Sequence, residues 1–155
     1  MRKFVFIFCL SIFFYSCSPI DIFQKTEAIP SQKWFYNYKP EFVAKITDTA
    51  TRYNVFVVLR HTDAYKYNNL WIRLGSKAPG DTMRFQNINL TLSNDVNGWE
   101  GKGMDDIFEV RKNITPGPVP FNKAGDYTFS VSQIMREDPL LHILNVGIRI
   151  EKVKL

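Results

Sequence analysis

Apolar and polar residues alternate along most of the chain after residue 33. The segment 85–92 is the clearest case, with Ile88, Leu90 and Leu92 on one face and polar side chains on the other. This period-two pattern, bounded by Gly, Pro and Asn, predicts half-buried antiparallel strands. The other predicted strands are 34–38, 42–46, 53–60, 65–74, 107–112, 126–133 and 144–153.

The same pattern predicts the fold class. Ten-residue windows show no convincing helical period, so the strands are expected to follow one another without helical connections. Seven to nine strands in one unit indicate an all-β, antiparallel β-sandwich of immunoglobulin-like or jelly-roll type. We assign this domain to residues 34–155, a length that buries about two thirds of the unfolded surface.

The first residues have the pattern of an export signal. Arg2 and Lys3 precede a run of apolar and aromatic residues at 4–15, which is too short to span a membrane as a helix. Ser16 then stands directly before Cys17, the arrangement that lipoprotein signal peptidase cleaves. We therefore predict a signal peptide at 1–16 and a lipid on the Cys17 thiol. The alternatives are an uncleaved anchor or an ordinary signal peptide.

Residues 17–33 are predicted to be the lipidated cysteine and a linker. The sixteen residues after Cys17 mix Pro, Ser, Thr, Gln and charged residues, and they could extend to at most about 50 Å. In an alternative interpretation, Ile20, Ile22 and Phe23 pack on the domain as an edge strand.

Charge and composition exclude several classes. The full chain has 20 basic and 15 acidic residues, and loss of Arg2 and Lys3 with the signal lowers the net charge from +5 to +3. So small an excess in an exported protein argues against a nucleic-acid partner. Of the two Cys, Cys9 would leave with the signal and Cys17 would carry the lipid, so no free thiol is left for a Cys/His zinc site or a disulfide framework. We expect no metal and no other cofactor.

The chain contains no recognisable catalytic motif, so we predict that it is not an enzyme. His61 follows a predicted strand end and is expected to be a surface loop residue. The oxygen-rich segment 94–106 could wrap a calcium ion, but its glycine spacing does not fit an EF-hand loop, which favours a plain turn between strands.

Aromatic residues suggest a second possibility. The run 34–38, together with Tyr65, Tyr67 and Trp71, could stack on sugar rings if these side chains are exposed. Alternate residues of a strand face opposite ways, so at most half of each run could serve. A glycan-binding module of the cell envelope is therefore the alternative function.

Seven short segments in a fixed order resemble one family. They are 57–61 (VVLRH), 65–71 (YKYNNLW), 81–82 (DT), 97–103 (NGWEGKG), 125–127 (GDY), 133–140 (QIMREDPL) and 146–152 (VGIRIEK). The ordered set resembles the gliding motility lipoprotein GldH family of Bacteroidetes. The chain departs from the family pattern at Leu141, His142 and Asn145.

The resemblance implies a lipid-anchored outer-membrane protein of the gliding and surface-adhesin machinery. Its partners would be the membrane and other envelope proteins. Only Cys17 carries over with a chemical role. The signature positions that we regard as candidate interaction residues are Arg60, Tyr65, Tyr67, Asn69, Trp71, Trp99, Met135 and Arg136. Residues 18–21 lack a dense acidic run of the kind used for surface export, which favours the periplasmic face of the outer membrane.

Overall fold

The computed structural model describes residues 22–153, and most of this range is β-strand. Within it the only helical element is a short 3-10 turn, Pro30–Gln32, and no helix has the length and hydropathy needed to cross a membrane. The strands are β1 (Ile22–Ala28), β2 (Lys33–Trp34), β3 (Glu41–Ile46), β4 (Arg52–Thr62), β5 (Asn69–Lys77), β6 (Arg84–Thr91), β7 (Ser93–Asn94), β8 (Gly98–Trp99), β9 (Lys102–Met104), β10 (Ile107–Asn113), β11 (Val119–Pro120), β12 (Gly125–Gln133), β13 (Leu140–Leu141) and β14 (Ile143–Lys152).

The strands form two main antiparallel sheets. The six-stranded sheet has the order β1-β14-β4-β10-β9, and β11 pairs with the beginning of β4. The four-stranded sheet has the order β3-β12-β5-β6. Two short ribbons, β2 with β13 and β7 with β8, complete the described part of the fold. The expected all-β, antiparallel, sandwich-like class is confirmed.

The hydrophobic core combines the inward faces of both sheets. In β4 the inward side chains are Val55, Val57 and Leu59, and in β12 they include Phe129 and Val131. All of them belong to one continuous buried cluster. Burying one such side chain contributes about 1.5–3 kcal/mol. The alternation in sequence is therefore sufficient to determine which face of each strand turns inward.

The N-terminal part of the domain differs from the linker that the sequence favours. Ile22–Ala28 forms edge strand β1, which pairs along its whole length with β14, and Phe23 packs against the core. The edge-strand alternative therefore describes Ile22 and Phe23, while Ile20 lies outside the described residues. The sheet begins at Ile22 rather than at residue 34. Only residues 18–21 separate Cys17 from β1, so this connection spans at most about 18 Å.

Two aromatic runs are shorter strands than their composition suggests. After Trp34 the chain turns, with the Tyr38 N–H donating to the Phe35 carbonyl at 3.1 Å. Residues 65–68 form a loop before β5, and the Tyr65 N–H donates to the Thr62 carbonyl at 3.2 Å. In both places these turn contacts take the backbone hydrogen bonds that a strand would use, so the aromatic β-propensity does not decide the local structure.

Candidate functional site

Most of the predicted site residues lie toward one end of the sandwich. β1 begins level with Asn54 of β4, whereas His61 lies seven residues further along that strand, about 23 Å away. We call the region around His61 and Ile143 the distal end. The predicted residues that lie toward it are Arg60, Tyr65, Tyr67, Asn69, Trp71, Trp99, Met135 and Arg136. Cys17 lies outside the described residues.

An aromatic cluster fills the interior of the distal end. The His61 ring lies 4.6 Å from the Trp99 ring in an edge-on arrangement, 5.6 Å from Tyr65 and 5.8 Å from Phe108, with which it stacks. Tyr67 extends the cluster, 5.8 Å from Tyr65. Tyr65 and Trp99 are therefore packing residues: Tyr65 is buried, Trp99 is half-buried, and neither is an open sugar-binding platform.

The expectation that His61 is a surface loop residue is wrong. His61 is fully buried on the inward face of β4. Its Nδ1 lies 2.8 Å from the Thr62 carbonyl, which assigns the proton of the neutral ring to Nδ1, while Nε2 has no hydrogen-bond partner among the described residues. Burial lowers the pKa of His61 below its usual 6.5. The period-two pattern of Val55, Val57 and Leu59 continues to His61 and could have indicated this.

The lowered pKa predicts a dependence of stability on pH. Above pH 6.5 both the folded and the unfolded chain hold His61 neutral, so the full stability is present. Below pH 6.5 the unfolded chain takes up a proton first, and stability falls by up to about 1.4 kcal/mol per pH unit until the lower folded-state pKa is reached. Thermal melts between pH 8 and pH 5 should show this loss in the wild type and less of it in His61→Phe.

The matched control is the other histidine. His142 has a positive φ of 70°, which asparagine tolerates, so His142→Asn removes the other imidazole without adding backbone strain. Equal slopes for the wild type and His61→Phe would show that His61 is not the group responsible.

The glycine-rich signature 97–103 has a structural explanation. Gly101 has a φ of +95°, and a Cβ there would overlap the Glu109 carbonyl oxygen and lie 3.1 Å from the Val110 Cα. Gly103 is paired with Phe108, whose ring would be 3.0 Å from a Cβ at that position. These glycines therefore let the segment pack closely on β10. Glu100, which lies between Trp99 and Gly101 in the chain, forms an ion pair with Lys112.

The calcium alternative for segment 94–106 gains no support. Asn94 caps a tight turn, its Oδ1 accepting from the N–H groups of Val96 at 3.1 Å and Asn97 at 2.7 Å. Within residues 22–153 no group of three or more His, Cys, Asp or Glu side chains is arranged to hold a metal ion.

A second buried polar residue organises the loop after β12, residues 134–139. The Gln133 Nε2 donates to the Trp34 carbonyl at 3.2 Å and to the Glu137 carbonyl at 3.0 Å, and its Oε1 accepts from the Met135 N–H at 2.8 Å. The Tyr36 hydroxyl donates to the Met135 carbonyl at 2.7 Å. The signature segment 133–140 therefore includes a side chain that sets a loop conformation, which sequence reasoning missed.

The same loop connects to two of the predicted aromatic residues. The Trp71 N–H lies 3.2 Å from the Met135 Sδ, which accepts its hydrogen bond. A hydrogen bond with Glu137, together with burial and the charge of that carboxylate, raises the pKa of Tyr67. Burial is also the main cause of the raised pKa of Tyr65, whose hydroxyl donates to the Asn69 carbonyl at 3.0 Å. Both tyrosines are therefore held in their neutral forms.

The predicted arginines do not come together. Arg60 is half-buried on the outward face of β4 and lies opposite Glu109, while Arg136 is exposed on the loop after β12. Neither forms an ion pair with another residue of the described range. Arg60 and Arg136 are therefore not buried partners of carboxylates.

The outward face of the four-stranded sheet carries an open groove of about 690 Å³. Tyr36, Glu41, Arg73, Phe85 and Met135 are among the residues that line it. Trp71 lies two residues before Arg73 on the same face of β5. Of the aromatic run that suggested a sugar site, Trp34 is buried and only its neighbours Phe35 and Tyr36 are well exposed. Phe85 and Arg73 were missed by sequence reasoning.

These features define a class: an all-β domain whose first strand follows the N-terminal segment closely and which carries exposed aromatic residues on one sheet face. The GldH lipoprotein family matches residues 21–150, and the chain belongs to that family. The resemblance noted in the sequence is thereby confirmed.

Named relatives agree with this assignment. The chain is 28% identical to the gliding motility lipoprotein GldH homolog of Christiangramia forsetii, covering 96% of this chain and 94% of the relative. It is 27% identical to the gliding motility lipoprotein GldH of Flavobacterium johnsoniae, covering 92% and 91%. Among solved structures, the VP2 subviral particle of infectious bursal disease virus matches with a TM-score of 0.35 and 12% identity, over 86% of this chain and 30% of that chain.

Proposed function

We propose that this protein is a non-enzymatic interaction subunit of the gliding motility and surface-adhesin machinery. A lipid on Cys17 holds it at the periplasmic face of the outer membrane, and the sandwich domain contacts other envelope proteins. Two relatives that bear the gliding motility lipoprotein name support the pathway. The names of these relatives do not specify the lipidated residue, the compartment or the assembly role, which are proposed here.

The observation that carries the proposal is the orientation of β1. Its first residue, Ile22, lies five residues after Cys17, so the lipid can be no more than about 18 Å from the start of the strand. The end of the sandwich near Arg52 and Glu151 would then face the membrane. The distal end would project about 23 Å further out, which is a suitable position for protein contacts.

The exposed residues at the distal end lie on a turn and a loop that hydrogen bonds hold in place. Met104 is exposed at the turn between β9 and β10, and a hydrogen bond links this turn to the turn after β4, the Asp63 N–H donating to the Asp106 carbonyl at 2.8 Å. Arg136 is exposed on the loop that Gln133 organises. A backbone that is held in place before binding loses little conformational entropy, and Met and Arg are enriched at protein interfaces, which favours a protein interface here.

Lipidation should be essential, and Cys17→Ala tests this. Stable anchoring requires that the acyl chains bury their methylene groups in the bilayer. A protein without the lipid lacks these chains, so it should leave the membrane fraction. In cells that lack the native gene, this variant should not restore gliding or surface-adhesin display, although its melting temperature should match that of the wild-type domain. Full restoration by the unlipidated protein would contradict the proposal.

Site-specific photo-cross-linking tests the orientation. A cross-linker at position 136 or 104 should capture a defined envelope protein from intact cells. The matched position is Thr49, which is exposed near the β1 end of the sandwich. Capture of the same protein at 49 but not at 104 or 136 would reverse the proposed orientation, and capture equally at all three positions would remove the distal end as the specific interface.

A further inference from the structure

The outward face of the four-stranded sheet carries two aromatic side chains, Trp71 and Phe85, that are not part of the hydrophobic core. Trp71 is 42% exposed and Phe85 is 64% exposed. Phe85 is nevertheless fixed in place, because it is paired with Gly75 and its ring lies over that residue, 3.0 Å from where a Cβ would be. Trp71 lies four residues before Gly75 on the same face, about 13 Å from it along β5. The two rings therefore flank a short, flat stretch of sheet.

Planar polar groups lie between the two rings and beside Trp71: the pair Arg73 and Asn87 lies between the rings, Asn89 lies opposite Trp71, and Asn69 lies two residues before Trp71 on β5. The Arg73 Nε donates to the Asn87 Oδ1 at 3.2 Å, and the Asn69 Nδ2 donates to the Asn89 Oδ1 at 2.8 Å. Ser132 of β12 lies opposite Arg73 and completes this row. These contacts hold the amides and the guanidinium in fixed orientations and leave their remaining donors and acceptors directed to the solvent.

Charge on this face favours an anionic ligand. Lys39 and Arg73 line the groove with one carboxylate, that of Glu41. Further along the face, Lys45 is paired in the register with Asp126, and Lys77 adds another positive charge. A guanidinium binds a carboxylate through two parallel hydrogen bonds, which a lysine cannot do.

We propose that this face is a binding site for a polysaccharide that bears carboxylate groups, such as one containing uronic acids. The aromatic rings would stack on the apolar faces of the sugar rings, and Arg73 would bind a carboxylate. The fixed amides of Asn87 and Asn89 would bind hydroxyl groups. A protein interface would instead place its apolar residues at the centre with polar residues at the rim, whereas here Arg73 and Asn87 lie between the two aromatic rings.

The site goes beyond the assembly role proposed above. It uses the sheet face and not the exposed tips of the distal end, so either proposal can fail while the other holds. Loss of saccharide binding in vitro and loss of cross-links at positions 104 and 136 report on separate surfaces.

Titration of the full-length lipoprotein in detergent tests the proposal. Oligomers of polygalacturonate are added while the heat of binding is recorded by isothermal titration calorimetry, with neutral dextran oligomers of the same length as the comparison. We expect saturable binding of the acidic oligomers and binding at least tenfold weaker for dextran. Trp71→Ala and Arg73→Gln should each weaken binding about tenfold, because each removes one main contact.

The matched control is Phe35→Ala, which removes an aromatic residue of similar exposure, 44%, outside the groove. It should bind as the wild type does. The proposal is wrong if neither saccharide binds, if dextran binds equally well, or if binding of the acidic oligomers survives both Trp71→Ala and Arg73→Gln, since general charge attraction would then explain it. It is also wrong if Trp71→Ala abolishes a protein cross-link without any saccharide binding in the wild type. Melting temperatures of the variants confirm that each is folded.

Discussion

Gly147→Ala is expected to lower the free energy of unfolding by about 2–3 kcal/mol, because a methyl group has no room there. A Cβ on Gly147 would overlap the Lys25 carbonyl oxygen and lie 2.9 Å from the Thr26 Cα. Both atoms belong to the backbone of β1, so the strand itself must move. The melting temperature should fall by about 8 °C.

The Gly147→Ala substitution should loosen β1 locally as well as lower the stability of the whole domain. β1 is an edge strand held mainly by β14, so its displacement should expose the amides of Ile22–Ala28 to hydrogen exchange first. In the proposed membrane-bound protein, loss of β1 would lengthen the tether from about 18 Å to that of a free segment and remove the fixed orientation. Gliding should then be impaired even where the remaining core is folded.

Gly117→Ala is the matched control for this prediction. No atom lies within 4 Å of a Cβ at Gly117, so the same substitution should change the free energy of unfolding by less than about 0.5 kcal/mol. If the two alanine variants melt at the same temperature, close packing of β1 on Gly147 is not a requirement of the fold.

Gln133→Met is expected to destabilise the domain by about 3 kcal/mol, although the two side chains are similar in volume. Three backbone groups, the carbonyls of Trp34 and Glu137 and the N–H of Met135, would lose their partner, and each unpaired buried group costs about 1–3 kcal/mol. Water that enters the partly opened loop pairs with some of these groups, which reduces the total loss of stability. Chemical denaturation measures the change, and hydrogen exchange should show the greatest loss of protection in the loop.

Gln86 of β6 provides the comparison. It is an exposed glutamine on a strand, and Gln86→Met should leave stability within about 0.5 kcal/mol of the wild type. The functional consequence of Gln133→Met should be a loss of cross-linking at position 136 that is greater than at position 104. Equal stability of the two methionine variants would mean that the Gln133 network contributes nothing to the fold.

The strand pattern was predictable because its cause is local. In 85–92 and 144–153, alternate residues face opposite sides of the sheet, so the sequence itself shows which side chains enter the core. The predicted export signal and the predicted lipid site at Cys17 likewise rest on local patterns. The two aromatic runs show the limit of local reasoning, since turns at Phe35–Tyr38 and at residues 65–68 override the β-propensity of those residues.

The candidate sites depended on contacts between distant parts of the chain. Gln133 and Trp34 are 99 residues apart, and His61 is buried because Trp99 and Phe108 cover it. The sequence by itself determined most of the long strands, their inward faces and the family resemblance, and it predicts the lipid site. Only the tertiary structure decided which aromatic residues are exposed, where β1 begins and which polar groups meet. The physical reason is that alternation depends on neighbours in the chain, whereas exposure depends on the elements that pack against a residue.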